Sequence, residues 1–237
     1  MLAYTRKWGE CMATRQAFIE LVVPIAVKLR LENSPIFPSV RIAQAILETG
    51  GTVNAWNNLV GYKVGNGVLT PYWQGDRVSA LTWEIINGTR YDNVPSDFRA
   101  YPTIVAGFRD QDLLFQSSRY VTVRNAKSPG EQTQALQNSG YATDTAYASK
   151  LNSLIQSNGL TRYDEEVIKM LEQLQAQIAA LQTRVSALEG QASLKEVPAW
   201  AKGAVDAAVK AGLIDTPNDG SYDFYRLLTV LHRKGLI

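Results

Sequence analysis

Val40-Arg-Ile-Ala-Gln-Ala-Ile-Leu-Glu48-Thr-Gly50-Gly51 is a helix written together with its own stop. Val40, Ala43, Ile46 and Leu47 recur at helical spacing and give it one apolar face. Gly50-Gly51 ends it, because glycine accepts the left-handed conformation that closes a helix. The one acid of the stretch, Glu48, falls in the last turn behind Ala45, Ile46 and Leu47. A carboxyl placed there is partly desolvated and lies at the negative end of the helix dipole. Both effects disfavour the anion and predict a raised pKa. A carboxyl protonated near neutral pH suits a glycosidic general acid. An ordinary solvated glutamate at a helix end fits the same spacing.

The flanking sequence fixes the class of fold. Upstream, Phe18, Leu21, Val22, Ile25 and Leu29 mark a helix over 14–31, which Pro24 is expected to bend or interrupt. Ser34-Pro-Ile-Phe-Pro38 is a stiff connector. Downstream, residues 52–100 turn rich in Gly, Asn, Trp and Tyr. Leu81-Thr-Trp-Glu-Ile-Ile86 followed by Asn87-Gly88 predicts a hairpin, with Thr89 to Phe98 as its second strand. Helices then return over Ile104–Gln116, from Ser128-Pro-Gly-Glu131 with a capping-box spacing to Gly140, and over Asp144–Asn158. The class is α+β and mostly helical, with a small β-hairpin lobe.

Composition narrows the chemistry. The chain has 237 residues and a net charge of +2, so no strong field drives it onto nucleic acid or an anionic membrane. One Cys and one His exclude an internal disulfide framework, a Cys/His zinc site and a two-His metal site. Neither a cofactor nor a metal is expected, and acid–base work falls to carboxylates, Lys or Tyr. No apolar run is long enough to span a membrane. Phe18 to Leu29, the nearest thing to a signal peptide, holds Glu20, Pro24 and Lys28 and reads as a buried helix. Residues 1–11 read as a leader or upstream extension, because Met12-Ala-Thr-Arg resembles a start.

Beyond residue 163 the pattern changes. Val167, Leu171, Leu174, Ile178, Leu181, Val185 and Leu188 are spaced 4,3,4,3,4,3, a heptad seam within a coiled-coil segment at 164–190. Ile178 and Val185 share one seam position and Leu174, Leu181 and Leu188 the other, a choice that favours a parallel homodimer through 167–188. A stalk helix packed on its own domain is the plainer alternative. Residues 191–237 form a small two-helix module, marginal by itself. The expected division is therefore 12–163, 164–190 and 191–237.

A second acid, Glu84, lies on the first hairpin strand, with Asp92 and Asp97 on the next strand as rivals. A hairpin facing a helix end brings two carboxylates across a cleft. Asn57-Asn58-Leu-Val-Gly61-Tyr62-Lys63 and Phe98-Arg-Ala-Tyr101-Pro102 flank it. Their amides and phenols suit sugar hydroxyl and N-acetyl groups, and Trp56, Trp73 and Trp83 are candidate stacking platforms.

Ala45-Ile-Leu-Glu48-Thr-Gly50, Asn57-Asn-Leu-Val-Gly61-Tyr-Lys63, Phe98-Arg-Ala-Tyr101, Ala135-Leu-Gln-Asn-Ser-Gly140-Tyr141-Ala-Thr-Asp144 and Tyr147-Ala-Ser-Lys150-Leu151 occur in this order. The ordered set, over about Phe18 to Leu160, resembles the N-acetylglucosaminidases of glycoside hydrolase family 73. That resemblance implies a lysozyme-like helical lobe with a β-lobe, and cleavage of the β-1,4 bond after N-acetylglucosamine in peptidoglycan. It implies Glu48 as general acid, Glu84 as the hairpin carboxylate and Tyr101 as a tyrosine of the catalytic cleft. Substrate contacts are expected from Asn57, Asn58, Trp56, Tyr62, Trp83 and Tyr141. Two positions depart from the family: Gly50-Gly51-Thr52 stands for the usual Gly-Trp-Gly, and Val60-Gly61 for Phe-Gly. With no leader read as a signal peptide, the chain is similar to a phage endolysin or tail-associated lysin, made in the host cytoplasm or carried by the virion and acting on the wall. A muramidase, or a non-catalytic wall-binding or structural phage protein, are the alternatives. Val197-Pro-Ala-Trp200 and Ala211-Gly-Leu-Ile214 resemble part of a surface-layer-homology-like wall repeat.

Overall fold

The computed structural model describes residues 15–86 and 89–237, without the side chains of 83–86 and 89–90. The leader, Cys11 and the Asn87-Gly88 turn fall outside the described residues. The chain forms two units, 1–171 and 172–237.

The first unit is built around one buried helix. The helix α1 spans Arg15–Leu31 and α2 spans Pro38–Thr49. Pro24 sits within α1 without ending it. Glu20, whose carbonyl loses its helical donor, and Pro24 both lie on the exposed face of the helix. Pro at the first turn of α2 costs no hydrogen bond, and Gly50 (φ 66°) closes it in the left-handed conformation, as its sequence predicts.

The strands β1 (Arg77–Ile86) and β2 (Thr89–Arg99) form an antiparallel pair that starts earlier than the periodicity suggests. Glu84 pairs with Tyr91 and Ile86 with Thr89, with an irregularity between Thr82 and Glu84. The helices α3 (Ile104–Leu114), α4 (Val121–Asn125), α5 (Pro129–Asn138) and α6 (Tyr147–Ser157) follow. Ser128 caps α5 by accepting from the Glu131 backbone N–H at 3.2 Å. The short α4 was not legible in the periodicity.

Every residue of α2 from Pro38 to Ile46 is buried, and α1, α5 and α6 pack against it. Phe18, Val22, Leu29, Ile36, Ile42, Phe108, Leu136 and Leu151 fill this core. Each large apolar side chain there is worth about 1.5–3 kcal/mol of burial. The helix α7 (Thr161–Ala192) begins in this unit. Its buried Asp164 accepts from the Ser39 backbone N–H at 2.9 Å, satisfying a donor in the first turn of α2. Val167, expected at the heptad seam, is instead buried at 3% exposure. The rest of the seam, Leu171 to Leu188, is 42–62% exposed.

In the second unit, α8 (Lys202–Lys210) and α9 (Tyr222–Arg233) pack through Ala201, Ala204, Val205, Ala208, Tyr225 and Leu228. Tyr225 donates to the Pro217 carbonyl at 2.7 Å and tethers the intervening turn. No helix among the described residues is long and apolar enough to cross a membrane.

Asp164→Ala removes the acceptor at the start of α2. It is expected to lower the unfolding free energy by about 2 kcal/mol, measured by chemical denaturation of the full chain.

Candidate active site

The last turn of α2 opens into a cleft of about 570 Å3. Leu47, Glu48, Val60, Gly61, Tyr62 and Lys63 form one side, with Thr82 and Phe98 from the hairpin. Gln111, Leu114 and Tyr120 form the floor, and Tyr141, Thr143, Asp144, Tyr147 and Lys150 the far wall.

Glu48 reaches solvent through this opening, yet its carboxyl is crowded enough that desolvation pushes its pKa up to about 7. Water on the open side moderates the shift without reversing it. Gly61 explains part of the crowding. Its φ is +62°, and a Cβ there would stand 2.9 Å from Glu48 Oε2. Only glycine brings the backbone this close in that conformation. The carboxyl makes no hydrogen bond among the described residues, so nothing there favours its anion.

A buried polar stripe runs down α2 beneath it. Arg41, Gln44 and Glu48 share one helix face, three and four residues apart. Arg41, inaccessible to solvent, pairs with Asp112 and donates to Ser34 Oγ at 2.7 Å and Gln111 Oε1 at 3.0 Å. Gln111 Nε2 donates to the Tyr141 hydroxyl at 2.9 Å, and Gln44 Nε2 to the Tyr147 hydroxyl at 3.0 Å. Burial raises the pKa of both tyrosines, and the nearby Glu48 charge raises it further. The hydroxyls therefore stay protonated.

Of the predicted site residues, the structure brings Glu48, Tyr62 and Tyr141 together. Tyr101 lies outside the cleft, packed with Val64 and Trp73. Its hydroxyl donates to Asp110 at 2.7 Å, an acceptor that also holds Arg99 at 2.7 Å and Thr70 at 2.7 Å. Trp73 is core at 1% exposure, with the Arg99 guanidinium 4.2 Å from its ring centroid, and is no stacking platform. Asn58 is buried, and its side chain ties Tyr62 and Arg99 carbonyls at 2.8 and 2.9 Å, shaping the loop rather than facing the cleft. Asn57 takes a positive φ and donates to the Tyr101 carbonyl at 3.0 Å, and half-buried Trp56 is not a wall residue. The side chains of Glu84 and Trp83 lie outside the described residues. Asp97 accepts from Ser79 and pairs with Arg77.

Arg41, Gln44, Gln111, Tyr120 and Lys150 were not singled out from the sequence as site residues. The available signal was the polar residues at 41, 44 and 48 of an otherwise apolar helix. Among the described residues, no cluster of three or more His, Cys, Asp or Glu side chains could hold a metal.

Residues 24–160 match the glucosaminidase family, described as mannosyl-glycoprotein endo-beta-N-acetylglucosaminidase. The chain belongs to that family. Among glucosaminidase relatives, the exo-glucosaminidase LytG of Bacillus subtilis is 35% identical over 161 residues, 64% of this chain and 54% of its own length. The peptidoglycan hydrolase FlgJ of Salmonella typhimurium is 34% identical over 149 residues, 61% of this chain and 46% of its own. A protein named probable N-acetylmuramidase from Lactococcus lactis is 31% identical over 157 residues, 63% of this chain and 35% of its own. The chain thus spans about half or less of these relatives. A peptidoglycan hydrolase mutant from Sphingomonas sp. A1 superposes with TM-score 0.53 at 34% identity, covering 62% of this chain and 97% of that one. That structure shares the mostly helical, lysozyme-like architecture.

Gly61→Ala is expected to leave the unit folded, with a stability loss of about 1–2 kcal/mol from the positive φ. It should displace the Glu48 carboxyl and lower turnover more than tenfold; melting curves beside rate assays separate the two effects.

Proposed function

We propose that the chain hydrolyses the β-1,4 bond that follows N-acetylglucosamine in peptidoglycan, with Glu48 as general acid. The observation that carries this reading is the Glu48 carboxyl, open to a sugar-sized cleft, unpaired among the described residues and with its pKa raised to about 7. Protonated Glu48 gives its proton to the glycosidic oxygen as the bond to C1 breaks. The leaving sugar departs as an alcohol, and positive charge spreads over C1 and the ring oxygen. Tyr62, Phe98, Tyr120 and Tyr141 offer aromatic surface to sugar rings. Water then adds at C1, and its proton returns to Glu48 where Glu48 acts as base in this second step.

Glu84 is the proposed second carboxylate, on β1 opposite Tyr91. A separation near 5 Å would make it a nucleophile, and about 6.5–9.5 Å a water-activating base. Where the N-acetyl group of the substrate attacks C1, Glu48 alone serves as acid and base. Cleavage after N-acetylmuramic acid is the second reading, favoured by the relative that bears the muramidase name.

The order of catalytic unit, heptad helix and small terminal unit supports a lytic role of the phage endolysin or tail-lysin kind. The exposed Trp200 and Tyr222, with ring centroids 5.5 Å apart, support wall binding by the terminal unit. The exposed seam from Leu171 to Leu188 supports a parallel homodimer, in which Arg184 of one copy meets Glu189 of the other. Pairing would raise avidity for a polymeric wall.

Digestion of purified peptidoglycan tests the activity. The wild type should release new reducing ends carrying N-acetylglucosamine, and Glu48→Gln should release none; ends carrying N-acetylmuramic acid would select the second reading. Equal rates in both proteins would sink the acid assignment. The rate should fall on the alkaline side through about pH 7, as Glu48 loses its proton. Linkage has the same sign. A carboxyl pKa raised in the folded state stabilises below its unfolded value of about 4.3 and loses that contribution as pH rises through 7. Glu48→Gln should therefore be more stable than the wild type at pH 8, on the order of 1 kcal/mol after allowance for solvent at the open side.

Light scattering tests the dimer. At high concentration the mass should approach twice 26.2 kDa, and Leu181→Glu should return it to one copy. A single-copy mass for the wild type at every concentration would sink the pairing.

A further inference from the structure

The hydrogen bonds beneath Glu48 all point one way. Arg41 has only donors and stays charged, so the atom it faces on Gln111 must be the amide oxygen. That contact, 3.0 Å from Arg41 to Gln111 Oε1, fixes the orientation of the amide. The Gln111 NH2 then faces the Tyr141 hydroxyl at 2.9 Å and Gln44 Oε1 at 3.4 Å. Gln44, its oxygen turned to Gln111, presents its own NH2 to the Tyr147 hydroxyl at 3.0 Å. Both tyrosine oxygens therefore accept from below. Neither O–H proton is donated to any protein group among the described residues, and both tyrosines line the cleft beside Glu48.

We infer that Gln111 is a positioning residue, which, oriented by Arg41, fixes the Tyr141 hydroxyl as a hydrogen-bond donor into the cleft, toward an acceptor oxygen of the bound glycan. The inference rests on the hydrolytic reading of the Glu48 cleft. Gln111 does not touch the reacting atoms; it decides which way the hydroxyl points. A tyrosine free to rotate would offer donor and lone pair in turn, whereas this one is preorganised.

The test is a double-mutant cycle on the full chain, with peptidoglycan digestion as readout. Gln111→Glu keeps the shape and the oxygen facing Arg41, but replaces the amide donor with an acceptor that draws the Tyr141 proton downward. Tyr141→Phe removes the proton outright. Each is expected to lower kcat by roughly 10- to 100-fold with little change in KM, on the scale of losing one preorganised donor. The double variant should be no slower than the slower single variant, since both remove the same hydrogen bond. A merely structural Gln111 would give losses that multiply, and that result overturns the inference. So does wild-type kcat in Tyr141→Phe; if Glu48→Gln is inactive in the same assay, the hydrolase reading survives. Should Gln111→Glu fail to fold, Gln111→Met takes its place in the cycle with the same expectations. Should the wild type not cut peptidoglycan, nitrogen-15 NMR reads the wiring directly. The Gln111 side-chain amide protons should exchange slowly, and one should lose protection in Tyr141→Phe. Fast exchange in the wild type, or unchanged protection in the variant, overturns the inference.

Discussion

A guanidinium with no access to solvent needs a counter-charge and acceptors, and Arg41 is such a group. Asp112 supplies the charge, and Ser34 and Gln111 supply acceptors. Breaking such a pair from one side costs about 3–5 kcal/mol, because the survivor is left buried and unpaired. Arg41 closes the first turn of α2, where the helix is fully buried, so this requirement fixes how the helix is rotated in the core. Any other rotation buries the charge against Ile42 or Ala43 neighbours that cannot receive it. Seven residues at 3.6 per turn fall about 20° short of two full turns. Glu48 therefore faces nearly the same side as Arg41, two turns further on, where the core ends and the cleft begins. The aim of the acid follows from the placement of the arginine.

Three consecutive buried residues of α3 extend this logic to the β-lobe. Asp112 holds Arg41 of α2, while Asp110 holds Arg99 at the end of β2 together with Tyr101 and Thr70. Gln111, between them, faces the cleft. Alternate side chains on a helix point in widely different directions, so one turn anchors both walls and furnishes the floor. Arg99 also lies 4.4 Å from the Tyr62 ring centroid, which ties a cleft residue to the same anchor. The loop bearing Tyr62 and Gly61 is thus positioned from two directions, by Arg99 and by the Asn58 side chain.

The elements were legible in the sequence where local chemistry dictates them. The stop of α2 at Gly50, the cap of α5 at Ser128 and the hairpin strands follow from residues within a turn of the event. Glu48 was legible because its apolar neighbours and its place at the helix end are local too. Tyr101 and Trp73 show where that reasoning stops. Each lies in an aromatic-rich stretch that suits a sugar cleft, yet Asp110, nine residues beyond Tyr101, draws them inward through Tyr101 itself and Arg99. The partner choice depends on how α3 packs, which no spacing in residues 52–102 encodes. Val167 fits the heptad as well as Leu174 does, but the first turns of α7 lie against the core and hide it. The polar stripe of α2 is written in the sequence as Arg41, Gln44 and Glu48, but the apolar periodicity that marks the helix carries no information about which polar positions are buried.

The buried ion pairs also bear on why the acid keeps its proton. A carboxyl beside an uncompensated arginine is held in its charged form. Here the buried Arg41 and Arg99 each have their own aspartate, and Lys150, which lines the cleft, pairs with Asp144 at 2.5 Å. Charges closed into short pairs present only dipoles at a distance, so among the described side chains desolvation is the cause that acts on Glu48. Gly61 then sharpens that cause by bringing backbone, rather than a side chain or water, against the carboxyl. Stability and acidity have a common origin: the pairs that let the two lobes bury their arginines are the pairs that withhold those arginines from Glu48.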